Sequence, residues 1–130
     1  MVWILTIFMR QFMHELDVRF CQMMANDTIV EQPMIFTNST YVLTNHTIDF
    51  IKNAVGMGAP FFHVTTFVHV HTPLFTAPQF ANVSEGGFFG DNLVEMDWAA
   101  GQIINTIDEL GIADNTLIIF ISDNGPFAGK

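Results

Sequence analysis

The sequence predicts an α/β fold organised on a strand–helix–strand unit at about residues 61–122. Three observations carry that prediction. An apolar run, PFFHVTTFV, leads into His69-Val70-His71-Thr72-Pro73. The stretch from Asp91 to Leu110 repeats apolar residues near helical spacing. A second apolar run, Leu117 to Ile121, ends in Ser122-Asp123-Asn124-Gly125-Pro126. Both runs are rich in β-branched and aromatic residues and poor in charge, as parallel strands covered on both faces are. In an open parallel sheet ligands bind beyond the carboxyl ends of the strands. Both polar clusters fall at such ends.

Taken in order, residues 1–13 are apolar with a single Arg. The unbroken part, Met1 to Met9, is shorter than the roughly 20 residues a bilayer span needs. It also lacks the basic start and small-residue cleavage site of a signal peptide. An interfacial helix, a buried helix and the tail of a membrane helix are the three open readings. Residues 14–37 are irregular, and Glu31-Gln-Pro33 reads as extended chain or turn. Thr37 or Asn38 caps a helix running to about Ala54, with Val42, Leu43, Ile48, Phe50 and Ile51 as its apolar face. Gly56, Gly58 and Pro60 stop it. Residues 61–71 form the first strand, and 72–90 a long loop of the kind that is usually functional or mobile. Asp91 opens the next helix in the favoured dipole sense and Gly111 closes it. Asp114-Asn115 is a turn before the strand 116–121.

Composition narrows the function classes. The 130 residues allow one domain at most. Half are hydrophobic and only 13% are charged, against about a quarter in a typical soluble domain. That balance suits a piece of a larger buried architecture. The net charge is −9, and the positive residues are Arg10, Arg19, Lys52 and Lys130 alone. Nucleic-acid binding needs a basic face, so that class is excluded, whereas a divalent cation is compatible. Cys21 is the single cysteine, which rules out an internal disulfide and a Cys-based zinc site. Asn26, Asn38, Asn45 and Asn82 each begin an Asn-x-Ser/Thr acceptor triplet. Nine Asn and fifteen Ser plus Thr would give about one such triplet by chance. Four point to the secretory pathway, with a merely Thr-rich chain as the plainer alternative.

Asp123 and Asn124 offer a carboxylate and an amide carbonyl side by side, hard oxygen donors suited to Ca²⁺ or Mg²⁺. Spacing alone favours a solvated turn, since Asp-Asn-Gly is common turn chemistry. His69 and His71 leave one face of a strand, as a ligand pair, an acid/base pair or core histidines. His71, nearer the strand end, is the better candidate, and His63 is structural. Glu95, Asp97, Asp108 and Glu109 read as the solvent face of their helix. Ser122 and Thr72 sit in no nucleophile elbow, so the chain offers no convincing nucleophile.

HVHTPLF, followed by GDNLVEMDWAAGQIINTIDELGIADNTLIIFISDNGP, resembles the central part of the type I sulfatases, and within them the steroid sulfatase and arylsulfatase group. The likeness is firm over about residues 60–126 and weaker from Cys21 to Phe50. It implies an alkaline-phosphatase-like α/β fold, partial here, and hydrolysis of small-molecule sulfate esters. It implies a Ca²⁺ ion held in part by Asp123 and Asn124, neutralising sulfate charge. It implies that His71 is catalytic, contacting the sulfate and protonating the leaving oxygen, a role suited to histidine.

The departures are equally informative. The family nucleophile is a formylglycine made from Cys in Cys-x-Pro-Ser-Arg, whereas Cys21 precedes Gln-Met-Met-Ala. The paired N-terminal aspartates and the downstream Gly-Lys segment have no counterpart, and Lys130 comes too soon after Asp123. The expectation is therefore an internal fragment, inactive alone. Residues 1–20 would be an apolar segment ending a membrane hairpin, with membrane association through 1–13. Residues 21–130 would be part of the catalytic domain. The location would be the endoplasmic reticulum membrane, the lysosome or the exterior. The alternatives are a related metal-dependent phosphoesterase and a non-catalytic glycoprotein that keeps the unit as an interaction module.

Overall fold

The computed structural model describes residues 5–8 and 22–125. Three short antiparallel strands, β1 (Leu5–Phe8), β2 (Gln22–Ala25) and β3 (Thr28–Glu31), form a sheet in that order. The β2–β3 connection is the pair Asn26-Asp27, and Asn26 takes φ +53°, a left-handed conformation that Asn tolerates better than most residues. Two long helices follow, α1 (Phe36–Gly56) and α2 (Gly87–Glu109), packed against each other. Mixed α/β architecture holds, and the two expected helices are both present.

Helix α1 is two residues longer than predicted at its C-terminal end, and its buried stripe differs from the apolar one the sequence suggested. Ser39, Thr40, Leu43, Thr44, Thr47, Ile51 and Ala54 are the buried residues. They recur every three or four positions, so the period is helical, but most of them are polar. Burial is tolerated because the hydroxyls are bonded. Ser39 donates to the Phe36 carbonyl at 2.7 Å and Thr44 to the Thr40 carbonyl at 2.7 Å. Against α1 lies a cluster of Tyr41, Phe80 and Trp98, with the Tyr41 and Trp98 rings 4.7 Å apart.

The two predicted strands are not formed as such. Neither 61–71 nor 116–121 is paired in a ladder with any described residue, so the strand–helix–strand unit is absent from the observed topology. A strand is not a local structure: it needs a neighbour to take its backbone hydrogen bonds. Residues 61–66 still keep the period-two signature. Phe61, His63 and Thr65 are half-buried, while Phe62, Val64 and Thr66 are exposed. The half-buried set faces α1, where His63 Nε2 and Thr65 Oγ1 each lie 3.1 Å from Thr47 Oγ1. Burial in this position lowers the His63 pKa. The second run is uncovered on both sides, with Leu117 at 85% and Ile121 at 79% exposure.

Residues 5–8 pair as a strand, which disagrees with a helical reading at that point, and the rest of 1–13 lies outside the described residues. Cys21 lies outside them too. Among the described residues no helix is long and apolar enough to cross a membrane.

Candidate active site

Helix α2 begins at Gly87, four residues before the expected start, so Asp91 falls in its second turn and not at its mouth. This moves a polar triplet to the interior. Asp91, Asn92 and Glu95, at i, i+1 and i+4, share one helix face, and that face is turned into the loop 69–84. All three are at most 2% exposed. Asp91 accepts the backbone N–H groups of Asn82, Val83 and Ser84 at 2.8, 3.0 and 2.8 Å. Asn92 donates to Thr76 Oγ1 at 2.7 Å and to the Phe88 carbonyl at 2.9 Å. Glu95 Oε2 accepts the Ala77 N–H at 2.8 Å and lies 3.4 Å from His69 Nε2. The loop thus has no ladder of its own and hangs from three side chains of one helix.

Glu95 was expected on the solvent face and is instead fully buried, as a helix face aimed at a polar loop requires. Asp97, Asp108 and Glu109 are exposed, as expected. The sequence did contain a signal for the buried triplet: its i, i+1, i+4 spacing lies beside a loop with many unpaired backbone donors.

Close approach of loop and helix also requires Gly90. A Cβ there would run into Ser84 Oγ and lie 2.9 Å from Ser84 Cβ. Ser84 cannot retreat, because its N–H is held by Asp91 and its hydroxyl accepts the Gly86 N–H at 3.1 Å. Gly90→Ala is therefore expected to destabilise by about 1–3 kcal/mol through overpacking. Gly101, mid-helix with open space around its would-be Cβ, should do the opposite. Gly101→Ala is expected to stabilise by about 1 kcal/mol through helix propensity. Thermal unfolding of the two variants checks both signs together, and like signs would show that the contact at Ser84 is not the constraint.

The three N–H donors, that of Ser84 foremost, hold the Asp91 carboxyl below the usual carboxylate range, with burial opposing them. The folded value is the lower one. Its stabilisation is therefore complete above about pH 3.9, the unfolded value, and is lost as pH falls through the folded value. Asp91→Asn should lower Tm at neutral pH and flatten the acid-side decline of Tm. A parallel decline in both proteins would sink this account.

The two histidines part company. His71 N–H donates to the Val68 carbonyl at 3.0 Å, so residues 68–71 form a turn, and strand alternation no longer applies. His69 goes inward against Phe75, with ring centroids 4.6 Å apart, and His71 goes out to solvent. His71 Nδ1 lies 2.6 Å from the Thr72 carbonyl oxygen. A carbonyl can only accept, so Nδ1 carries a hydrogen and Nε2 is the outward nitrogen.

Asp123 and Asn124 are exposed beyond the second apolar run. Asn124 Nδ2 donates to the Gly125 carbonyl at 2.7 Å, and Ser122 Oγ donates to the Asn124 carbonyl. The amide oxygen of Asn124 and the carboxylate of Asp123 are left as donors to a ligand. Their chemistry fits a hard cation. They are too few to cage it, and no group of three or more His, Cys, Asp or Glu able to hold a metal occurs among the described residues. A cavity of about 270 Å³ lies elsewhere, between α1 and residues 59–66, and none of His71, Asp123 or Asn124 lines it.

No hydrogen bond or shared cavity among the described residues joins His71 to Asp123 or Asn124, and it is comparison with known proteins that gives the family. The sulfatase family model matches residues 10–130, and the chain belongs to that family. It is 44% identical over 122 residues to the steryl-sulfatase of Homo sapiens, covering 94% of this chain and 20% of that protein. It is 38% identical over 110 residues to the arylsulfatase of Hemicentrotus pulcherrimus, covering 85% and 20%. An N-acetylgalactosamine-6-O-sulfatase of Bacteroides thetaiotaomicron is 41% identical over 85 residues, covering 65% and 16%. The chain thus spans about a fifth of the length of the curated relatives it matches.

Proposed function

We propose that this chain is part of a sulfuric ester hydrolase in which His71 is the general acid and Asp123 and Asn124 are two of the oxygen ligands of a calcium ion. The observation that carries the reading is the His71 geometry within a chain of sulfatase relatives. The Nδ1–H bond to Thr72 fixes the tautomer and the ring direction, and Nε2 is free to donate to the oxygen of a departing alcohol or phenol. The calcium, when bound, would neutralise sulfate charge and help activate the nucleophile. Asp123 and Asn124 contribute a negative carboxylate and a neutral amide oxygen, and a site of six to eight oxygens needs donors beyond this pair. A formylglycine nucleophile belongs to this reading and is not supplied by Cys21, which Gln22 and Met23 follow.

A secretory-pathway location accompanies the reading. The four acceptor asparagines, Asn26, Asn38, Asn45 and Asn82, are all exposed, and Asn26 and Asn82 lie in turns. Residues 21–130 are then catalytic-domain sequence, and the substrate is a small-molecule sulfate ester.

The test is hydrolysis of 4-nitrophenyl sulfate and 4-nitrophenyl phosphate by the full gene product made in secretory cells. Cleavage of the sulfate in preference is the expected result. Preference for the phosphate would favour a related phosphoesterase, and cleavage of neither would favour a non-catalytic glycoprotein.

A further inference from the structure

We propose that Glu95 is a positioning residue for His71, acting through the two ends of the segment 69–77. This rests on the assignment of His71 made above.

The geometry is a single carboxyl group hydrogen-bonded to one end of a turn-containing segment and set against the other. Its Oε2 accepts the Ala77 N–H at 2.8 Å and faces His69 Nε2 at 3.4 Å. Between these two anchors lie the turn at 68–71, Pro73 and the exposed ring of His71. The His71 ring has no hydrogen bond beyond the Thr72 carbonyl, and its backbone N–H is held by the Val68 carbonyl within the turn. Its position therefore follows from that of the buried residues on either side. Phe75 closes the same pocket, with its ring edge-on to His69 and 5.2 Å from Phe36.

Burial sharpens the point. Glu95 is 0% exposed, and both Glu95 Oε1 and His69 Nε2 lack a hydrogen-bond partner among the described residues. A side chain kept only for stability would rarely be a buried carboxyl with a spare oxygen, since burying such a group is costly. A carboxyl whose job is to hold the Ala77 N–H beside the His69 ring has a reason to be there. A neighbouring buried hydrogen bond, Asn92 to Thr76, steadies the same stretch from the adjacent helix position.

A displacement of about 1 Å at a catalytic group typically costs on the order of 10²-fold in rate. Glu95→Ala in the full gene product is accordingly expected to lower kcat for 4-nitrophenyl sulfate about 10²-fold with KM little changed. Glu95→Gln keeps an oxygen in the Oε2 position for the Ala77 N–H, and should retain kcat to within about threefold. Ile107→Val, a change at a buried α2 residue twelve positions beyond Glu95, is the stability control. It should lower Tm and leave kcat of the folded protein unaltered. Where Glu95→Ala does not fold, Glu95→Asp replaces it: the shorter carboxyl withdraws from Ala77 and should lower kcat at preserved charge. The proposal is overturned when kcat per folded molecule in the Glu95 variants equals the parent, or when Glu95→Gln loses as much as Glu95→Ala. His71→Ala, run alongside, separates the two failures. An inactive His71→Ala with fully active Glu95 variants leaves the His71 assignment standing and removes the role of Glu95. A fully active His71→Ala removes both.

Discussion

His71→Ala in the full gene product should lower kcat by about 10²- to 10⁴-fold, the usual contribution of a positioned general acid. The loss should depend on the leaving group. A 4-nitrophenolate departs readily as an anion and needs little help from a proton, whereas phenolate needs more. The ratio of wild-type to variant kcat should therefore be larger for phenyl sulfate than for 4-nitrophenyl sulfate. The physical ground is the tautomer: Nδ1–H is committed to the Thr72 carbonyl at 2.6 Å, so the proton that moves is the one on the exposed nitrogen. Equal losses for both substrates would mean that His71 binds the sulfate without protonating the leaving oxygen. Unchanged kcat would remove it from the site.

The sequence reading of the two histidines rested on strand alternation, which the structure does not keep at this point. It placed His69 and His71 on one strand face, and the turn at 68–71 separates them into a buried and an exposed ring. What survived was position: a histidine just past an apolar run and just before a proline. The helices were legible because their period is local, a matter of residues three and four apart. The strands were legible as runs but not as a sheet, because pairing is set by chain far away in sequence and not by the run itself. The buried stripe of α1 was misread for a chemical reason. Threonine counts as polar in a pattern search, yet Thr44 buries at little cost once its hydroxyl bonds the Thr40 carbonyl. Glu95 failed in the same direction. A carboxyl on a helix is read as solvent-facing unless something is known to need an acceptor, and the Ala77 N–H that needs it is 18 residues away.

Asp123→Ala is expected to weaken calcium binding by more than about 10²-fold, since loss of a mere outer partner of a metal site already costs 10- to 100-fold. Asp123 would be the charged member of the pair, and removing it leaves Asn124 with a neutral oxygen only. Both side chains are exposed and neither is part of the packed face of α2, so the substitution should leave Tm in chelator unchanged. This separates a ligand from a structural residue. In the full gene product, chelation should abolish 4-nitrophenyl sulfate hydrolysis, and added Ca²⁺ should restore it. The Asp123→Ala protein should need a far higher Ca²⁺ concentration for the same recovery. Asn124→Asp should recover calcium affinity in the Asp123→Ala background by returning a carboxylate to the pair, at a new geometry and with incomplete activity. The 130-residue chain by itself should bind calcium weakly in calorimetric titration, since two side-chain donors fall well short of the six to eight oxygens the ion takes. Tight binding by that chain would mean that further oxygens come from within it, and activity indifferent to chelator would remove the ion from the reaction.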